Sequence, residues 1–251
     1  MLEETLHLLG KQSVAPDEVV LVDNGTTPTI LPEGAARPFP LRCFRISARA
    51  GAAQARNFGA AVAKGRYVAF LDDDDFWDPD YVERLRRLTA VGAGPAMIVA
   101  RVDHLEKGER HFFRFAGDAR KFEQCFYFNP GYLGSSLTVE RATFLDLGGF
   151  DVSFETGEDK ELAIRYMSND RSIVYDAGLV AVNRVHERTL SGRIDHVKTA
   201  QLLLQKYRAY INAKIRVKTL REAYKKSGQK RYLVHIFVLK IVLALLSLRR
   251  G

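Results

Sequence analysis

The run Phe70 to Asp80, FLDDDDFWDPD, constrains this chain more than any other stretch. An apolar segment, RYVAFLD (Arg66 to Asp72), emerges into four consecutive carboxylates, and an aromatic pair and a helix start follow. That order reads as the carboxyl end of a buried strand, the place where open α/β sheets bind ligands. Adjacent like charges repel and are costly to desolvate, so four in a row persist more readily where a cation neutralises them. Hard oxygen donors suit Mn²⁺ or Mg²⁺, ions that bridge a diphosphate. The plainer alternative is an acidic loop with Asp78 as a helix N-cap. Capping accounts for Asp78 but not for Asp72, Asp73, Asp74 and Asp75.

The flanking segments supply a sheet for that strand. EVVLVDN (Glu18 to Asn24) is a short β-branched run ending at Gly25, and LRCFRIS (Leu41 to Ser47) is a second strand. AAQARNFGAAVAK (Ala52 to Lys64) is an Ala-rich helix closed by Gly65, and DPDYVERLRRL (Asp78 to Leu88) is a helix with Pro79 at its first position. Short alternating strands and helices imply an α/β fold with a mostly parallel sheet flanked by helices. Further on, Ala96 to Leu105 and His111 to Phe115 read as an antiparallel pair around Lys107–Gly108. Phe144 to Asp151 is a helix end and turn, Glu158 to Asn169 a helix, and Ser172 to His186 two short strands.

Charge separates the end of the chain from the rest. Residues 201–251 hold 13 of the 38 Lys and Arg but one acid, Glu222, which leaves the first 200 residues slightly acidic. A basic tail on an acidic body argues against nucleic acid as the partner and for an anionic membrane surface. Leu204, Tyr207, Ile211 and Ile215 recur at helical spacing. The apolar run Tyr232 to Leu248 is short for a span and carries Lys240 in its middle, so it reads as a helix lying in the interface. The alternative is the same helix packed on the body, or on a second copy in a homodimer. The expected division is a catalytic unit 1–195, with a nucleotide-binding half 1–90 and an acceptor half 91–195, followed by a basic helical tail 196–251. LEETLHLLGKQS reads as an amphipathic helix and not as a secretory signal, and Cys43 and Cys125 read as buried thiols in a reducing compartment. The expected location is cytoplasmic, peripheral at the inner face of the cell membrane.

Three blocks, in order, carry a family resemblance. VDNGTT (Val22 to Thr27) resembles the strand-end VDDGST of the inverting glycosyltransferases of family 2, which have the GT-A fold. GAAQARNFGAAVAKGRYVAFLDDDDFW (Gly51 to Trp77) resembles their central helix, strand and D-x-D block, and GGFDVSFETGEDKELAIR (Gly148 to Arg165) the region of their Glu-Asp pair. The resemblance spans about residues 1 to 190. It implies a nucleotide-diphosphate sugar as donor, a saccharide or lipid-linked acceptor, and a role in cell-surface polysaccharide synthesis. Asp23 and Asn24 would meet the nucleobase or ribose, although Asp23 could instead close an Asx-turn. Arg56 and Asn57 would face the nucleotide. Asp72 and Asp74 correspond to the D-x-D carboxylates, with Asp74 the direct metal ligand, Asp73 beside them, and Asp75 holding the loop or the sugar.

Asp159, with Glu158, resembles the catalytic base, though both are also ordinary first-turn acids of a helix. His186 would ligate the metal or touch phosphate, and Trp77 would stack on sugar or fill the core. One departure stands out. The family's opening strand, of the type V-S-V-I-I-P-x-Y-N, has no counterpart, and Met1 already lies in the helix that follows it. A nucleotidyltransferase and a non-catalytic membrane-attached scaffold are the competing readings. The first would release pyrophosphate; the second would bind no nucleotide.

Overall fold

The computed structural model describes residues 1–30, 37–90, 92, 94–115, 117, 121–185 and 195–227. The elements are α1 (Leu2–Leu9), β1 (Val19–Asp23), β2 (Leu41–Arg45), α2 (Ala52–Val62), β3 (Tyr67–Ala69), β4 (Phe76–Trp77), α3 (Tyr81–Thr89), β5 (Met97–Glu106), β6 (Glu109–Phe115), α4 (Phe122–Tyr127), β7 (Leu137–Glu140), α5 (Arg141–Asp146), α6 (Glu158–Ser168), β8 (Ile173–Arg184), α7 (His196–Lys206) and α8 (Ala213–Ser227). The α/β class expected from the sequence is the class observed.

The strands form two sheets. β1 and β2 pair in parallel, while the larger sheet runs β3-β7-β5-β8-β4 with β6 also on β5. The pairing differs from the mostly parallel sheet expected. Within the larger sheet only β5–β8 is parallel, and β3–β7, β5–β7, β5–β6 and β4–β8 are antiparallel. The connections explain this. β5 turns straight into β6 through Lys107 and Gly108, both at positive φ, whereas β5 reaches β8 by a long crossover through α4, β7, α5 and α6. β1 and β3 are not bonded to each other, and among the described residues no strand stands between them.

β5 divides the interior. Side chains alternate across a strand. Met97 and Val99 join a core with Phe70, Phe126, Phe144, Phe150 and Leu162, while Ile98 and Ala100 join one with Leu6, Trp77, Tyr81 and Leu179. Helices therefore cover both faces, each apolar side chain contributing about 1.5–3 kcal/mol by burial. Leu204, Tyr207, Ile211 and Ile215 are buried in the first of these cores, so α7 and α8 are bound to the body.

Three local readings change. α3 starts at Tyr81 with Asp80 as N-cap, because the Asp78 carboxylate takes Arg110 through two bonds (2.6 and 2.9 Å) and the Asp78 N–H donates to Val180 O (3.1 Å). Residues 172–186, read as two strands, hold the single strand β8, whose register skips from Ala100–Asp176 to Arg101–Val180. Asp176 Oδ1 fills the skip by accepting Gly178 N–H at 2.8 Å. Cys125 is buried, but Cys43 is exposed on the edge strand β2. The apolar run Tyr232 to Leu248 lies outside the described residues. No described helix is long and apolar enough to cross a membrane.

Candidate active site

A cleft of about 1810 Å³ opens between the two sheets. That exceeds the 300–1,000 Å³ usual for a small-molecule site. The excess is apolar: Val20, Val22, Ala60, Val68 and Leu6 line the part between β1 and β3. The polar part is lined by Asp23, Arg56, Asp72 to Asp74 and Asp159, so the strand-end residues of β1, the loop after β3 and the first turn of α6 share one cavity.

Arg56, on α2, is the link between them. Its Nη2 donates to Asp72 Oδ1 at 2.6 Å and its Nη1 to Glu158 Oε1 at 2.8 Å, and its guanidinium lies 5.6 Å from the Phe150 ring centre. Burial opposes its charge, yet the Asp72 and Glu158 carboxylates hold its pKa above the ordinary value. Arg56 thus lines the cleft with both ends of its fork bonded to carboxylates. Gly134 makes room for it: a Cβ there would stand 2.4 Å from Nη2. Asn57 is bonded outside the cleft. Its amide donates to Phe150 O (2.8 Å) and accepts Phe150 N–H (2.7 Å), fastening α2 to the turn after α5. Gly149 permits this with φ +69°, and a Cβ there would meet Asn57 Oδ1 at 2.5 Å.

The four aspartates diverge. Asp72 holds Arg56, and its N–H donates to Ser135 Oγ at 3.1 Å. Asp73 is exposed, its carbonyl accepting the Thr5 hydroxyl at 3.0 Å. Asp74 is half-buried in the cleft wall. Asp75 points inward, only 1% exposed. It accepts the Ser135 hydroxyl (2.6 Å), the Asn183 amide (2.9 Å) and Arg184 N–H (3.2 Å). Burial pushes its pKa up to about 7 against the Ser135 bond, and Asp72 and Asp74 add to the rise. Of its two expected roles, Asp75 takes that of holding the loop, because tertiary partners absorb both oxygens. Trp77 is a core residue, stacked on Tyr81 at 4.4 Å with its N–H on Ser135 O at 2.8 Å. Ser135, Asn183, Thr5 and Gly134 were not singled out from the sequence; the small-residue run Gly134 to Ser136 was the available signal.

At the strand end of β1, Asp23 Oδ1 accepts Gly25 N–H and Oδ2 accepts Thr29 N–H, each at 2.8 Å, while Arg45 bonds Oδ2 at 2.5 Å. The backbone bonds from Thr29 and Gly25 lead in lowering its pKa, and Arg45 adds to them, so the group is ionised. The Asx-turn is thus real, and Oδ1 keeps a free lone pair for an incoming donor. Asn24 ties the loop to Ala50 O at 2.6 Å.

Glu158 and Asp159 differ sharply. Glu158 is paired with Arg56. Asp159 is 7% exposed, accepts Lys160 N–H on Oδ1 at 2.6 Å, and forms no ion pair within the described residues. Burial, then the Glu158 charge, push its pKa well above the carboxylate range. A buried, unpaired carboxylate with raised basicity is suited to proton abstraction.

Among the described residues no group of three or more His, Cys, Asp or Glu gathers to hold a metal, and His186 lies outside them. Asp72 and Asp74 offer oxygen donors on one wall of the cleft, which fits a divalent ion held by one or two carboxylates plus substrate phosphates and not an all-protein cage.

The profile of "Glycosyl transferase family 2" matches residues 1–131, and that of "Glycosyl transferase family group 2" matches 67–249. An uncharacterized glycosyltransferase of Haemophilus influenzae is 24% identical over 165 residues, 64% of this chain and 56% of that protein. The putative teichuronic acid biosynthesis glycosyltransferase TuaG of Bacillus subtilis is 36% identical over 86 residues, 33% of this chain and 34% of that protein. The chain thus spans between a third and about half of these curated relatives. Among solved structures, S. aureus TarS 1-349 in complex with UDP-GlcNAc superposes with TM-score 0.66 at 17% identity, over 89% of this chain and 69% of that one. GalNAc-T7 with UDP, GalNAc and Mn²⁺ gives 0.62 at 17% identity, over 90% and 51%. The fold is that of these GT-A transferases, and the chain belongs to glycosyl transferase family 2.

Proposed function

We propose that the protein is a metal-dependent inverting glycosyltransferase, moving a sugar from a nucleotide-diphosphate sugar to a saccharide or lipid-linked acceptor in cell-surface polysaccharide synthesis. The observation that carries this reading is the Arg56 bridge, which sets the Asp72 to Asp74 loop against the Glu158–Asp159 pair in one cleft. Asp23 and Asn24 border the end that would take the nucleoside. Asp72 and Asp74 would hold Mn²⁺ or Mg²⁺, which when bound neutralises the diphosphate as it departs. Asp159 takes the proton of the acceptor hydroxyl while that oxygen attacks the anomeric carbon from the face opposite the diphosphate. The bond to the diphosphate breaks, and the new bond has inverted configuration. Glu158, held by Arg56, raises the basicity of Asp159 through its negative charge and holds the helix start in place.

The relatives support the donor class: one solved neighbour carries UDP-GlcNAc and another UDP, GalNAc and Mn²⁺. TuaG, named for teichuronic acid synthesis, and the O-antigen biosynthesis protein RfbC of Myxococcus xanthus support a surface polymer as product. The basic surface of α7 and α8 supports attachment to an anionic membrane face. The test is incubation of the full chain with Mn²⁺ and a panel of nucleotide sugars, UDP-GlcNAc first, with glycan and lipid-linked acceptors. Release of nucleoside diphosphate is expected. Release of pyrophosphate would identify a nucleotidyltransferase, and the absence of any Mn²⁺-dependent nucleotide binding would identify a scaffold.

A further inference from the structure

We propose that the exposed rings of β6 and of the end of α4, together with a cationic stripe on α8, form one docking face for an anionic bilayer surface. Phe112, Phe113 and Phe128 enter the headgroup layer, and the stripe meets the lipid phosphates. The face rests on the reading of α7 and α8 as membrane-attached, and names the rings and cations that make the contact. None of these residues lines the donor cleft. Among the described residues four aromatic side chains stand exposed: Phe112 (62%), Phe113 (36%), Phe128 (40%) and Tyr210 (61%). They are linked to one another. The Arg114 guanidinium lies 4.8 Å from the ring centres of both Phe113 and Phe128, so β6 and the end of α4 meet across it. Arg114 Nη1 also donates to Asn129 O at 2.7 Å, which fixes the guanidinium there. At the start of α4 the Phe122 ring lies 6.4 Å from Tyr210. At its end Tyr127 carries Lys218 Nζ 3.8 Å from its ring centre, which joins α8 to the same patch.

Glu109 to Phe113 are all exposed, so β6 stands clear of the core on both faces. Two successive rings therefore meet solvent, where a strand packed on one face would hide one of them. Contiguous exposed rings mark an interaction surface, and charge names the occupant. Lys214, Lys218, Arg221 and Lys225 follow at spacings of four, three and four, which sets them in one stripe along α8. All four are exposed, while Ile215, Thr219 and Ala223 turn inward. The acids on α4 and α8 are single ones, Glu123 and Glu222, and Glu106 and Glu109 sit at the hairpin turn. Phe rings beside a row of Lys and Arg match an anionic lipid surface, where rings settle at the headgroup level and cations meet phosphates. The stripe also ends shortly before the apolar run Tyr232 to Leu248, so the two are neighbours in the chain.

The experiment is flotation of the full chain with phosphatidylglycerol vesicles and, in parallel, with phosphatidylcholine vesicles. Near-ultraviolet dichroism checks the fold of each variant. Binding to the anionic vesicles alone is expected, and it should fall as salt rises. Lys214→Gln and Lys225→Gln should each weaken it about fivefold, the worth of one basic residue at an anionic surface. Phe112→Ser should weaken it about tenfold, as the loss of one ring from the interface would. Phe112 is largely exposed, so its variants fold. In Phe112→Trp the added indole emission should move to shorter wavelength when phosphatidylglycerol vesicles are supplied. Vesicle binding that all three weakening variants leave unchanged overturns the face, and returns the attachment to another part of the chain, 228–251 included. Equal binding to the two lipids overturns it as well. A dimer that Phe112→Ser dissociates, without lipid binding in the wild type, makes the face a contact between copies and also overturns it. Failure of UDP to bind, with the lipid results intact, sinks the donor reading and leaves the docking face standing.

Discussion

Arg56 Nη2 stands 2.6 Å from Asp72 Oδ1, and the other arm of the same guanidinium holds Glu158, 102 residues further along the chain. One half-buried cation therefore ties the loop proposed to carry the metal to the residue beside the carboxylate proposed to take the proton. Arg56→Ala leaves two carboxylates facing each other without it. The bridge is partly open to solvent, the Asp72 side chain being 40% exposed, so thermal unfolding is expected to show a loss of about 1–3 kcal/mol, below that of a fully buried pair. Arg56→Lys, which reaches one carboxylate instead of two, should fold but lose turnover. Wild-type turnover in Arg56→Lys would remove the bridge from the mechanism.

Asp159→Asn separates chemistry from binding. Removing a positioned base lowers kcat by about 10²–10⁴-fold, while UDP affinity should hold because the donor contacts lie elsewhere. The pH profile carries a sign. A base acts unprotonated, so its raised pKa places the acidic limb of kcat/KM above the usual carboxylate range. Glu158→Gln removes a neighbouring negative charge that raises Asp159, so that limb should move to lower pH. The move is partial, because burial is the larger cause. A limb that stays in place, or moves upward, would show that another group titrates.

Asp74→Ala and Asp75→Ala, neighbours in sequence, should fail differently. Asp74 is half-buried on the cleft wall; its loss should abolish Mn²⁺-dependent turnover. Asp75→Ala strands the Ser135 hydroxyl, the Asn183 amide and the Arg184 N–H, and should cost about 1–3 kcal/mol or more in unfolding experiments. A destabilised Asp74→Ala with unaltered Mn²⁺ dependence would reverse the two assignments.

That contrast marks how far the sequence could be read. The strand entering FLDDDD, the Ala-rich α2, the β5–β6 hairpin and the helix opening at Glu158 all follow from local periodicity and turn chemistry. So does the strand-end position of Asp23. The direction of each aspartate does not, because it depends on Ser135, Asn183 and Arg56, which reach the loop from distant elements. Asp78 was misread for the same reason: Arg110, on the facing hairpin, outbids the helix end for its carboxylate. β7 escaped notice because its four residues, Leu137 to Glu140, are too few for their apolar–polar alternation to stand out from the sequence around them.

Glu161 binds α6 to the C-terminal helices and can be tested as a unit. Its fully buried carboxylate takes two bonds from Arg165, one from the Tyr207 hydroxyl at 2.6 Å and Lys206 at 2.9 Å. Tyr207→Phe removes one hydroxyl and should cost about 1 kcal/mol. Glu161→Ala removes the partner of Arg165, Lys206 and Tyr207 together, leaves Arg165 only its bond to Leu147 O, and should cost about 3 kcal/mol. If both substitutions left Tm unchanged, α7 would not be part of the folded body.

The cleft between β1 and β3 makes a prediction of a different kind. Its walls, Val20 and Val22 on one side and Val68 on the other, with Leu6 and Ala60 between, are apolar and border a space larger than one nucleotide sugar requires. Contiguous apolar surface of this kind takes up apolar dyes. The folded chain, held well below its Tm, should bind anilinonaphthalene sulfonate saturably with a blue shift, and UDP with Mn²⁺ should displace little of it, since the nucleotide belongs at the carboxylate end. Val22→Asp would place a charge on this half-exposed wall and should reduce dye binding while the near-ultraviolet dichroism persists. Absence of dye binding in the native chain would mean that the two strand edges are covered in solution.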